Sequence, residues 1–245
     1  MSRKINLIVW AMGFMASSLF LEANAQNSST AMDTLKKEET PKGYLIANFT
    51  VKDSVTFQKY RKAAAGLAQK YQGRMIARDV NSKTVEGTDP RQVMAIIEFP
   101  SLKQAEGYYN SPEYTEAKKF GMASADRLII LAEGIPEAAQ PSAGQANGYL
   151  VANFTVHDQD TFKKYMETGG PVVGKFNGKA IVYDGKARIV EGKGQQIIAV
   201  MVFPSFTDLE RFYSSAEYTS ARKFRHASTK GTVVLAEGMS ENQKK

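Results

Sequence analysis

The sequence predicts an α+β protein made of two ferredoxin-like βαββαβ repeats whose sheets pack face to face, and three observations predict it. First, GYLIANFTV from Gly43 returns as GYLVANFTV from Gly148, and the match holds at a spacing of 105 residues through Phe57/Phe162, Tyr60/Tyr165, Asp79/Asp184 and Glu86-Gly87/Glu191-Gly192. After a deletion in the turn near Thr88 to Gln92 the spacing becomes 104, matching Phe99-Pro100-Ser101 with Phe203-Pro204-Ser205 and ending at Leu131 to Gly134 with Leu235 to Gly238. A period this long is a duplicated domain rather than a solenoid repeat. Second, the apolar spacing within each copy switches between the period of a strand and that of a helix. Third, the first strand is apolar on both faces, so a sheet with helices on one side still needs cover on the other.

The elements of the first copy follow in order. Residues 44–51 alternate as a strand, placing Leu45, Ala47, Phe49 and Val51 toward helices and Tyr44, Ile46, Asn48 and Thr50 toward the opposite face. Asp53 is the N-cap of a helix carrying Val55, Phe57, Tyr60, Leu67 and Tyr71, stopped by Gly73. Met75 to Val80 and Val93 to Phe99 are the second and third strands, joined through the turn at Gly87 to Arg91. Ser101 caps a helix; Ser111-Pro112-Glu113 starts another, with proline at the first helical position. Leu128 to Glu133 is the last strand. In the second copy Pro171 should break or restart the first helix. The apolar second sheet face, with Met94 and Ile96, buries against the sheet of the other copy. A short linker makes that pairing intramolecular.

Outside the repeats, Arg3-Lys4, an apolar run to Leu21 and Ala23-Asn24-Ala25 read as a secretory signal peptide cleaved after Ala25. The chain divides into a signal peptide (1–25), a polar segment (26–42), the first repeat (43–134), a linker with Pro136 and Pro141 (135–147), the second repeat (148–238) and a basic tail (239–245). Cleavage removes Arg3, Lys4 and Glu22, lowering the formal net charge from +7 to +6, and leaves no stable membrane insertion. The cations are scattered without aromatic interleaving, so nucleic acid is not an expected partner. With no cysteine there are no disulfides, thiolate metal sites or thiol nucleophile. Two histidines and no clustered carboxylates give no metal site.

Glu86-Gly87, Ile97 to Ser101 and Ser111-Pro112-Glu113-Tyr114, followed by a strand ending Ala-Glu-Gly, resemble the bacterial family called domain of unknown function 1330. The second copy carries weaker forms, with Val202 for Glu98 and Ala216 for Pro112. The resemblance implies a dimeric α+β barrel, here folded within one chain as a monomeric pseudo-dimer open to further self-association, and an exported envelope protein, periplasmic or extracellular. It brings no established activity. In the haem-degrading members of that superfamily an asparagine, a tryptophan and a histidine form the working set. Asn48 and Asn153 resemble the first, but Tyr108 and Phe212 replace the tryptophan, and Lys118 and Arg222 fall where the histidine would be. No cofactor is therefore expected; the lone helical His226 reads as a surface or packing residue.

Asn48 and Asn153 point inward, where a buried amide must find a partner or a ligand. Arg78 and Glu98 should lie nearly opposite each other on the inner face as a cross-strand pair, either structural or holding a substrate carboxylate. The second copy has Tyr183 and Val202 there; conversely Arg225, in the last helix, stands where the first copy has Gly121. The functional reading is a small-molecule pocket for an organic acid or aromatic compound, lined by Tyr44, Asn48, Arg78, Tyr108, Asn153 and Arg225. Any cofactor-free proton transfer or oxygenation there would use Glu98 as base. The competing reading is a non-catalytic envelope protein with a filled barrel.

Overall fold

The computed structural model describes residues 40–136 and 147–239. The expected signal peptide, most of the polar segment and linker, and the end of the basic tail lie outside the described residues. The first repeat runs β1 (Gly43–Val51), α1 (Ser54–Ala64), α2 (Leu67–Lys70), β2 (Arg74–Asp79), β3 (Lys83–Glu86), β4 (Val93–Phe99), α3 (Leu102–Tyr109), α4 (Pro112–Ser124) and β5 (Ala125–Glu133). The second runs β6 (Gly148–Val156), α5 (Gln159–Lys175), β7 (Lys179–Asp184), β8 (Arg188–Glu191), β9 (Ile197–Phe203), α6 (Phe206–Ser214), α7 (Ala216–Ser228) and β10 (Thr229–Glu237). Among the described residues no helix is long and apolar enough to cross a membrane.

Local chemistry sets the helix starts. Asp53 Oδ1 accepts the Val55 and Thr56 N–H groups at 3.0 and 3.2 Å. Ser101 and Ser111 cap α3 and α4 in the same manner, and Pro112 opens α4 where a missing N–H costs nothing. The helix break falls in the opposite copy from the one expected. Gly66, at φ +73°, interrupts the first copy between α1 and α2, whereas α5 is one 17-residue helix that includes Pro171. Proline occupies the position of Gly66 and its ring forbids a positive φ, so the left-handed break is closed to the second copy. The chain stays helical and gives up one hydrogen bond.

The sequence leaves Lys83–Glu86 and Arg188–Glu191 inside a connection, but both are strands, and each joins the sheet of the other repeat. One sheet has the order β2-β4-β1-β5-β8 and the other β3-β10-β6-β9-β7. β3 pairs with β10, and β8 pairs with β5. At the far edges the bridges Ala77↔Gly238 and Gly134↔Val182 bring the sheets together again. Asp79 accepts the Glu237 N–H and Asp184 accepts the Glu133 N–H, both at 2.9 Å, so the repeated Asp and Ala-Glu-Gly motifs tie one copy to the other. These exchanged strands and edge bridges make the barrel.

A buried ion pair fixes the tip of each exchanged strand. Glu86 at the end of β3 accepts a two-pronged contact from Arg225 of α7 at 2.6 and 2.8 Å, plus the Tyr213 hydroxyl at 2.5 Å. Glu191 at the end of β8 accepts the Tyr109 hydroxyl at 3.0 Å and lies 3.2 Å from Arg127 Nε. The two arginines come from different elements. Arg225 corresponds to Gly121 in the first copy, and Arg127 of β5 corresponds to Gly231 in the second. A Cβ on Gly121 would stand 1.9 Å from Arg127 Nη1, so the helix gives up its side chain where the strand supplies the cation. Each half thus keeps one guanidinium beside the incoming carboxylate. The glycines after both glutamates, Gly87 at φ +105° and Gly192 at φ +76°, turn the chain where a side chain would strike Thr232 or the Arg127 carbonyl.

The alternation read from GYLIANFTV is the observed one. Tyr44 and Ile46 join Met94, Ile96, Ile198 and Val200 inside the barrel, while Leu45, Ala47 and Phe49 pack with Phe99, Tyr108 and Tyr114 beneath the helices. The second repeat has its own helix-side core around Phe203, Phe212 and Tyr218.

The exchange of arginines gives a double-mutant prediction. Arg127→Gly leaves the Glu191 carboxylate, 7% exposed, without its cation, and should cost about 3–5 kcal/mol in urea unfolding. Adding Gly121→Arg reproduces the arrangement of the second copy and should recover at least half of that loss. A double variant no more stable than the single one would show that the two arginines are not equivalent.

Candidate functional site

β1 and β6 face each other across the barrel, and their asparagines bring the two sheets to one end of it. Asn48 is 6% and Asn153 is 8% exposed. Both line a cavity of about 240 Å³ whose inner wall includes Ile46, Met94, Ile130, Val151, Ile198 and Val234. Its rim carries Asp89, Arg91, Lys193, Gln195 and Lys230.

The two amides are treated differently. Asn153 Nδ2 donates to the Gln195 and Ile197 carbonyls, both at 2.9 Å, and its Oδ1 accepts the Gln195 N–H at 2.7 Å. Thr155 donates to the Gln195 side chain at 2.8 Å, fastening the loop after β8 over its own asparagine. Asn48 Nδ2 donates to the Val93 carbonyl at 3.0 Å, which fixes the amide orientation; among the described residues its Oδ1 has no hydrogen-bond partner. The loop of the first copy is one residue longer, and counting back from the matched strand residues Val93 and Ile197 puts Arg91 at the place of Gln195. That loop is held instead through Arg91, 9% exposed, which contacts Asp89 at 2.7 Å and Asp126 at 3.5 Å and leaves its buried Nε unpartnered.

The remaining predicted residues lie elsewhere. Tyr44 and Glu98 sit at the opposite end of the barrel, four strand residues from Asn48, which corresponds to about 13 Å. Glu98 accepts Tyr44 at 3.2 Å, Arg74 at 3.0 Å and Lys42 at 3.4 Å. Burial, and then the Glu98 carboxylate, push the Tyr44 hydroxyl far up from its ordinary range; the same two causes bring Tyr149 up to about 12. The expected Arg78–Glu98 pair does not form. A bulge between Met75 and Ala77 turns both Ile76 and Ala77 into the barrel core, so the alternation reverses. Arg74 takes the place opposite Glu98, and Arg78 points out on the exposed side near Arg61.

Tyr108 packs in the helix-side core, its ring 4.5 Å from that of Tyr114. Lys118 and Arg222, expected from the sequence to stand where a histidine would be, lie over the Tyr109 and Tyr213 rings at 4.0 and 4.3 Å. Arg225 is committed to Glu86. A second, more open cleft of about 380 Å³ lies beside it, lined by Glu86, His226, Lys230 and Gly231, on the side of the sheet where the first copy carries the Arg127 side chain. Among the described residues no cluster of His, Asp and Glu could hold a metal.

The sequence reading missed Arg91, Lys193 and Gln195, which lie in the loops after β3 and β8, and Lys230, the second residue of β10. The one-residue length difference between the two loops is the signal that marks the three loop residues, because a changed loop must dispose differently of the matched asparagines.

A closed pair of exchanged ferredoxin-like sheets with helices outside is a dimeric α+β barrel written in one chain. The chain belongs to the family described as domain of unknown function (DUF1330), whose model matches residues 42–135 and 147–239. Among solved structures, a mutant chlorite dismutase from Candidatus Nitrospira defluvii is 11% identical, with 82% of this chain and 93% of that one covered and a TM-score of 0.51. An anthrone oxidase-like protein is 15% identical over 83% of this chain and 93% of that one, with a TM-score of 0.48. At 11% identity the first of these likenesses shows the fold alone. No curated protein matches the chain.

The Glu86 lock makes stability depend on acid pH. Burial acts to raise the Glu86 pKa, but the Arg225 fork outweighs it, helped by Tyr213 and His226, and holds the carboxyl at about 2 instead of its ordinary 4.5. A depressed pKa contributes stability above the unfolded value that is lost as pH falls toward the folded one. Unfolding free energy should therefore drop between about pH 4.5 and 2, and Glu86→Gln should flatten that part of the profile. An unaltered slope in Glu86→Gln would contradict the assignment.

Proposed function

We propose that the protein binds a small organic molecule at the Asn48–Asn153 end of the barrel, with the first repeat supplying the recognition group. One observation carries this reading: Asn48 is almost fully buried beside open space, with an acceptor that the protein leaves unused, while its twin is saturated. Asn48 Oδ1 keeps some exposure to the cavity, so the O–H or N–H of a ligand can reach it there. The middle of the barrel is packed by Met94, Ile96, Ile198 and Val200, which limits the ligand to the barrel end. Glu98 lies at the other end, so binding at Asn48 does not by itself put that carboxylate in contact with the ligand. The packed middle is also the observation that favours a filled, non-catalytic barrel, and one experiment separates the two.

Phenol, a neutral ring with one donor, should perturb the methyl resonances of Ile46, Met94, Val151 and Ile198 in a saturable NMR titration and leave those of Ile181 and Ala132 in place. Asn48→Leu should weaken that binding roughly tenfold through the lost hydrogen bond and the lost space. The absence of any saturable shift at phenol concentrations up to its solubility would favour the filled barrel.

A further inference from the structure

We infer that the ligand is a monocyclic aromatic acid carrying a hydroxyl group. This rests on the binding reading above and adds to it the chemistry of the occupant. Three features of the cavity select that class together.

Size comes first. A dry cavity of about 150 Å³, known from an unrelated engineered protein, accepts benzene. The 240 Å³ here has room for a ring with two small substituents. The inner wall is aliphatic side chains and Met94, so the part of the ligand that reaches it must be apolar.

The donor requirement is the second. With Nδ2 held on the Val93 carbonyl, what Asn48 presents to the cavity is an acceptor. Its partner must be an O–H or N–H on an otherwise apolar body, and a carboxylate or ether oxygen there would be repelled.

Charge is the third. Arg91, Lys193 and Lys230 face one carboxylate, Asp89, across the rim. Asp89 is taken up by Arg91, and among the described residues neither Lys193 nor Lys230 has an ion-pair partner. The opening is therefore cationic while the floor is neutral, an arrangement that orients an amphipathic anion with its carboxylate outward. Arg91 is neutralised by Asp89 at 2.7 Å and Asp126 at 3.5 Å, so the positive charge of the opening comes from Lys193 and Lys230.

Calorimetric titration of the full chain with para- and meta-hydroxybenzoate, benzoate and phenol tests each feature. One hydroxybenzoate should bind about tenfold more tightly than benzoate and about tenfold more tightly than phenol. Asn48→Ala should bring the hydroxybenzoate-to-benzoate ratio down to about one. The double variant Lys193→Gln/Lys230→Gln should bring the hydroxybenzoate-to-phenol ratio close to one and remove the salt dependence of binding. Phenol binding as tightly as both acids would overturn the acid assignment while leaving the cavity as a binding site. Equal affinity for benzoate, or a hydroxyl preference that survives Asn48→Ala, would overturn the donor assignment. Failure of all four probes to bind would remove the binding reading itself.

Discussion

The carboxylates of Glu86 and Glu191 are the groups on which the barrel depends. Each is carried on a four-residue strand out of its own repeat and into the other, where an arginine and a tyrosine are waiting. A strand this short buries little apolar surface of its own. It stays because its terminal charge would be stranded without the cation and because the following glycine fits against the backbone of the other copy. The closure of the sheets, the burial of Ile96 and Val200 between them, and the position of both cavity-lining loops follow from that exchange. Those loops begin at the glycines after the two glutamates.

The two locks perform one task by different routes, and the difference bears on function. In the first copy the guanidinium comes from β5 and fills the ground beside Gly121; in the second it comes from α7, and Gly231 leaves a cleft. A symmetric homodimer could not hold both solutions at once, because any change is made in both subunits. Duplication within one chain removes that restriction. The same freedom accounts for the asparagines: one loop lost a residue and clamps Asn153, and the other, with Pro90 and Arg91, leaves Asn48 facing the cavity. The barrel keeps one polar recognition group and spends the other on holding its wall.

Much of the fold was legible because it is locally encoded. The alternation of GYLIANFTV, the Asp53, Ser101 and Ser111 caps and the 105-residue repeat each carry their own signal, and every one of them describes an observed element. What was not legible is what depends on a partner far away in the chain. Lys83-Thr84-Val85-Glu86 is too short to announce itself as a strand, and nothing in it names β10 as its neighbour. Arg78 and Glu98 were placed together by counting alternation across β2, which a single bulge reverses. Tyr44, Asn48 and Glu98 do share the inner face, as read, but they lie at two ends of it. The reciprocal trade of Gly121 for Arg225 and Arg127 for Gly231 was visible in the aligned copies. Reading it as a trade required knowing that the helix and the strand reach one carboxylate.

The central claim is that strand exchange makes two repeats into one cooperative unit. Hydrogen exchange of the backbone amides under increasing denaturant measures it directly, because each amide reports the free energy of the opening that exposes it. The account predicts that the amides of β3 and β8 open with the same free energy and the same denaturant dependence as those of β1 and β6. Two separate isotherms, one for each repeat, or early exchange confined to β3 and β8, would contradict it.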